Sequence, residues 1–264
     1  FAVRAEYELD GPALRQSLVI ENRTDRPMPA GCGWHPFFNR APTTADAGGS
    51  ASRSYGHFHD LALNMLVSDR VQKAFDLDNE TAELKALYGD HLGGQSCLLA
   101  RRLVEVGVPL VNVYWRNGRR RTDIGWDNHI NNFANLKNWQ LPPTDMAVAA
   151  LLDELAQRGL LEDTLVVLMG EFGRTPGISA EGGRQHWPFC YSVVMAGAGI
   201  RGGEIFGASD SKAGYPARDA VSPFDIGASI FHLLGIDVTR VFHDFLGRPH
   251  RVCKGTPITT LVGT

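Results

Sequence analysis

The chain has 264 residues, 44% of them hydrophobic and 21% charged, which is enough to bury a core in one large domain or two small ones. Its 26 basic and 29 acidic side chains leave a net charge of −3, which excludes any chain-wide pull toward nucleic acid or an anionic membrane. Four scattered cysteines (Cys32, Cys97, Cys190, Cys253) form no C-x-x-C pair, so a zinc knuckle or thioredoxin motif is excluded, and no apolar run is long enough to span a bilayer.

Residues 1–40 are dominated by strand-like runs. Ser17 to Asn22 is short, rich in β-branched residues and bounded by turn formers. Gly31 to Phe38 is an aromatic segment around His35. Residues 41–54 are Ala, Thr, Gly, Ser and Asp with almost no large apolar side chain, a composition that reads as a linker and marks a domain boundary. Residues 55–264 then alternate helix and strand patterns. Thr81 to Tyr88 and Gln95 to Val106 have helical periodicity, and Gly107 breaks the second before a strand at Pro109 to Tyr114. The basic run Arg116 to Arg121 reads as a solvated loop. Asp145 to Gln157 is the clearest helix, with Thr144 as its expected N-cap and Gly159 beyond its end. Leu165 to Met169 is apolar throughout, as a buried parallel strand would be, and Tyr191 to Met195 follows as another. Ser222-Pro223 opens a helix from Phe224 to Leu234, closed by Gly235. This rhythm predicts an α/β fold: a mostly parallel sheet with flanking helices, preceded by a short β segment.

Two polar clusters follow predicted strands, where an open α/β sheet places its ligands. Trp126-Asp127-Asn128-His129 offers a carboxylate and an imidazole two residues apart, on one side of an extended segment. Together they suit a divalent cation. The second cluster runs from Met169 to Pro176 and on through Gly182 to Trp187. It holds Glu171, Arg174, Arg184 and His186. The two guanidiniums match the geometry of a phosphate or sulfate, although singly each more often serves as an ion-pair partner.

Gly94 to Leu103, Trp126 to His129, Met169 to Pro176, Gly183 to Pro188 and Leu246 to Pro249 together resemble, in order, the carboxyl-terminal half of a bacterial family known as a domain of unknown function, number fifteen-oh-one. That family looks like a member of the alkaline phosphatase and sulfatase superfamily. The resemblance implies an alkaline phosphatase-like but incomplete fold, with Asp127, His129, Glu171 and His186 as ligands of a divalent metal (Zn, Ca or Mg). Arg174 and Arg184 would serve the reaction. Where the family reads Arg-Asp-His-Trp this chain has Gln185, so one carboxylate has become a neutral amide. The superfamily's first metal-binding acid and its nucleophile belong to an amino-terminal half that has no counterpart here.

Leu18 to Asn22 and Gly33 to Asn39 are similar to a second family, the aldose 1-epimerases. There the histidine matching His35 contacts the sugar ring and can act as the acid in ring opening. Three functions are therefore weighed: metal-dependent hydrolysis of a sulfate or phosphate ester, sugar isomerisation or carbohydrate binding, and non-catalytic anion binding. The expected partner is a small anionic or carbohydrate substrate, and with both sites incomplete the expected turnover is weak or nil. No basic-then-apolar leader opens the sequence, and the compartment stays open.

Overall fold

A computed structural model describes residues 2–10, 13–21, 68–115, 125–244 and 246–262. His35, the expected linker at 41–54 and the basic run at 116–121 lie outside the described residues.

The chain opens with a hairpin of β1 (Ala2–Asp10) and β2 (Ala13–Glu21), paired antiparallel from Ala2 opposite Glu21 to Asp10 opposite Ala13. A helical layer follows. α1 (Asp69–Phe75) leads to α2 (Ala82–Tyr88), whose N-cap Thr81 accepts a hydrogen bond from the Leu84 amide. α3 (Leu92–Glu105) starts three residues earlier than periodicity suggests. The His91 ring supplies the cap, its Nδ1 accepting from the Gly94 amide at 3.0 Å.

The core forms where α3 crosses its neighbours. Tyr88, Cys97, Leu98 and Ala147 make one buried cluster, and Ala74, Leu99 and Leu103 make a second beside it. Leu98 is fully buried, and its side chain alone contributes roughly 2 kcal/mol through removal from water. Pro109 to Tyr114, expected as a strand, has no ladder partner among the described residues; Val111, Val113 and Trp115 lie against these clusters.

Next comes a nearly continuous helical run: α4 (Asn132–Asn135), a widened π turn over Leu136–Gln140, and α5 (Leu141–Gln157). Pro142 and Pro143 explain the widening, because neither has an amide proton to donate to the preceding turn. Thr144 is therefore not the N-cap. It sits buried in the first turn of α5 with its hydroxyl donating to the Gln140 carbonyl at 2.7 Å.

The strands that follow are short and pair in twos. β3 (Val166–Leu168) pairs with β6 (Val194–Ala196) antiparallel. Between them lies the two-residue ladder of β4 (Gly173–Arg174) and β5 (His186–Trp187). A parallel pair needs a crossover of a dozen or more residues, usually a helix, and the 25-residue connection from β3 to β6 contains only this small hairpin and its loops. The chain therefore returns antiparallel. All five sheets among the described residues have two strands. Val166 and Val167 are half-buried and Leu168 is exposed, so the apolar strand is not covered on both faces.

Toward the end, β7 (Ala208–Ser209) pairs with β8 (Pro216–Arg218). α6 (Pro223–Leu233) begins with a reciprocal cap in which Ser222 accepts from the Asp225 amide and Asp225 accepts from the Ser222 amide. β9 (Val241–His243) and β10 (Pro249–Arg251) form an antiparallel hairpin, and a 3-10 turn over Thr259–Leu261 follows. No described helix is long and apolar enough to cross a membrane.

Candidate metal centre

Two segments meet to make the site. The first, residues 125–131, is fastened to the helical run by amide side chains. Gln140 donates to the Gly125 carbonyl, and Asn135 donates to the side chain of buried Asn128 at 3.1 Å and to the Ile130 carbonyl at 3.2 Å. With Asn128 turned into the protein, its neighbours Asp127 and His129 face the other way and reach each other, His129 Nε2 lying 2.9 Å from Asp127 Oδ1.

The second segment is the β4–β5 ladder. Arg174 stands directly opposite His186, so both side chains project from one face. Arg174 Nη2 donates to Asp127 Oδ1 at 2.6 Å and His186 Nε2 approaches the same oxygen at 2.8 Å. Behind His186 the Phe172 ring packs at 4.4 Å, and the His129 ring lies 4.9 Å away on another side.

Gly183 makes the meeting of the segments possible. A Cβ placed there would sit 1.6 Å from the His129 carbonyl oxygen, so only glycine lets the backbones touch. Two hydrogen bonds hold the contact: the Asn131 amide to the Glu181 carbonyl at 3.0 Å and the Asn132 amide to the Gly182 carbonyl at 2.9 Å. The same approach brings the Gln185 Oε1 to 2.6 Å from His129 Nδ1.

Asp127, His129 and His186 each turn one ligand atom into a common space, all within 4.8 Å of one another. Among the described residues this is the only group of three or more such side chains. Two imidazoles and a carboxylate form a donor set that fits a borderline cation such as Zn²⁺ better than Ca²⁺ or Mg²⁺, which prefer oxygen. The carboxyl of Asp127 is held well below the usual carboxylate range, first by the hydrogen bond with His186 and then by that from Arg174, with attraction from His129 and Arg174 added. It is therefore ionised, as a ligand must be.

Of the residues singled out from the sequence, these three and Arg174 come together. Glu171 does not join them: it is exposed beyond β3 and outside the ligand group. Arg184 turns to the backbone, donating from Nε to the Thr175 carbonyl and from Nη2 to the Arg174 carbonyl, which fastens the ladder rather than clamping an anion. Sequence reasoning passed over Gly183, Phe172 and Asn128. It also read Gln185 only as a lost carboxylate. The Gly182-Gly183 pair just before the basic loop was the one available signal of a close backbone approach.

No curated protein and no solved structure matches the chain. A family model does, over residues 32–262, a span that includes both halves of the site and begins upstream of the 41–54 segment read as a linker. With that much of its length matched, the chain belongs to the family described as Protein of unknown function (DUF1501).

Proposed function

We propose that Asp127, His129 and His186 hold a single divalent cation, best satisfied by Zn²⁺, and that the family role is metal-dependent hydrolysis of a phosphate or sulfate ester. The observation that carries the reading is the convergence of three ligand atoms within 4.8 Å from two segments almost sixty residues apart, on an exposed face open to a small substrate. A fold related to alkaline phosphatases and sulfatases accords with the motifs quoted above.

Bound there, a divalent cation supplies Lewis acidity toward the ester oxygen. The protein's own groups do the rest. Asp127 balances the cation's charge and at the same time orients Arg174, whose Nη2 it accepts at 2.6 Å and whose guanidinium the Trp126 carbonyl holds at 3.2 Å. So placed, Arg174 sets a positive charge beside the ligand space, its Nη2 shared between Asp127 and the Trp126 carbonyl and its Nη1 reaching the Arg184 carbonyl at 3.4 Å. Phe172 packs on His186 and limits its ring rotation. Gln185 stands where the family resemblance expects a carboxylate, so turnover is expected to be low.

The test is a zinc titration of the chelator-stripped full chain, followed by 4-nitrophenyl phosphate and 4-nitrophenyl sulfate assays. One equivalent should bind, Asp127→Asn and His186→Ala should each weaken binding at least tenfold, and the small turnover should require metal and vanish in His186→Ala. A chain that binds no divalent cation, or that hydrolyses either ester equally well without metal, overturns the proposal.

A further inference from the structure

Resting on that metal-centre reading, we infer that Gln185 is a positioning residue that fixes the tautomer of His129. Its side-chain carbonyl lies 2.6 Å from His129 Nδ1. An amide oxygen can only accept, so this contact is made when Nδ1 carries a proton; Nε2 faces an acceptor as well, the Asp127 carboxylate at 2.9 Å. A cation seated among Nε2, Asp127 and His186 would take the Nε2 lone pair in place of that contact, leaving the ring's one proton on Nδ1, where Gln185 accepts it. A metal-ligating histidine is ordinarily oriented in this way by a partner on its far nitrogen.

The backbone brings the two residues together. The Gln185 amide donates to the Thr175 hydroxyl at 3.0 Å, and its carbonyl accepts from the Thr175 amide at 2.8 Å. Opposite it, His129 is held by buried Asn128 on one side and by the Gly183 contact on the other.

Chemistry distinguishes this role from simple loss of a ligand. An aspartate here would carry a negative charge into the centre and could itself bind metal. The amide of Gln185 keeps the acceptor and omits the charge, so the centre consists of two imidazoles and one carboxylate with positions left open.

The experiment compares zinc affinity, by competition with a chromophoric chelator, in the wild-type full chain, Gln185→Met and Gln185→Glu. ¹⁵N-histidine NMR of the zinc-loaded proteins reads the tautomer directly. Gln185→Met keeps the side-chain length without the acceptor and should bind zinc 10- to 100-fold more weakly, on the order of losses on removing such partners. Gln185→Glu restores an acceptor and should bind at least as tightly as wild type. His129 should carry its proton on Nδ1 in the wild type. Equal affinity in wild type and Gln185→Met, or a proton on Nε2 of zinc-loaded His129, overturns the inference while leaving the metal centre standing. A wild-type chain that binds no zinc overturns both.

Discussion

Replacing Gly183 by alanine is the sharpest perturbation the geometry offers, because one added methyl strikes backbone rather than a flexible side chain. The new Cβ would lie 1.6 Å from the His129 carbonyl oxygen and 2.2 Å from its carbon, so the two segments must part by more than an ångström. That separation breaks the Asn131–Glu181 and Asn132–Gly182 backbone hydrogen bonds, at 3.0 and 2.9 Å. At about 1 kcal/mol each the loss is roughly 2 kcal/mol. For a chain of this size that corresponds to a fall of roughly 4–8 °C in Tm. His129 moves away from Gln185 and from the ligand space at the same time, so zinc affinity should drop by about tenfold or more. Calorimetry and a zinc titration read the two effects separately. Gly177→Ala is the control: it lies in the same loop with nothing within 4 Å of the added Cβ, and it should change neither. A Gly183→Ala chain with unaltered Tm and zinc affinity would refute the idea that this close approach assembles the centre.

Three further outcomes test other parts of the account. Arg101 is buried at 1% exposure, with Glu80 and Glu105 each at 2.7 Å and Glu154 at 3.5 Å; Arg101→Met leaves Glu80 to Arg102 and Glu105 and Glu154 to Arg158, and loss of its charged hydrogen bonds should cost about 1.5–3 kcal/mol in chemical denaturation. Arg158→Met, which removes an exposed partner of Glu105 and Glu154, should cost about 1 kcal/mol or less, and equal losses in the two variants would contradict the buried-hub account. The Asp244 carboxyl is held down at about 2, chiefly by the Arg248 amide and then by the His250 and Arg248 side chains. A depressed folded-state value means that its stabilisation is complete above about pH 4 and fades as pH falls toward 2. The Arg248 amide resonance should therefore titrate near 2, whereas a midpoint near 4 would refute the contact. Burial pushes the Cys97 thiol up to about 12, so alkylation at pH 8 should leave it unmodified in the native chain and label it only after denaturation; rapid native labelling would place α3 wrongly.

What could be read from the sequence was the local grammar. Thr81, Ser222 and the glycines beyond α5 and α6 mark helix limits because capping depends on residues within one turn. The i, i+2 relation of Asp127 and His129 was equally local, and in the structure the two side chains touch. Strand direction was not local. Val166 to Leu168 is apolar in either orientation, and only the connection to Val194 decides it. His91 as a cap was invisible because a ring nitrogen rarely fills that role. The chemistry of Arg184 suits an anion or an ion pair equally, and only the structure shows its guanidinium donating to the Thr175 and Arg174 carbonyls. Gln185 shows the limit most plainly. Its residue type announces a missing charge, whereas its function depends on a distance to His129 set by a glycine two residues earlier.

The central claim is that Asp127, His129 and His186 form one metal centre, and X-ray absorption spectroscopy of the zinc-loaded full chain tests it most directly. The expected spectrum shows nitrogen and oxygen scatterers near 2.0–2.1 Å, with the outer-shell pattern of two imidazoles and no sulfur. In His186→Ala any zinc retained should show one imidazole at most. A sulfur shell near 2.3 Å would place the metal on cysteine instead, and two imidazoles persisting in His186→Ala would contradict the centre outright.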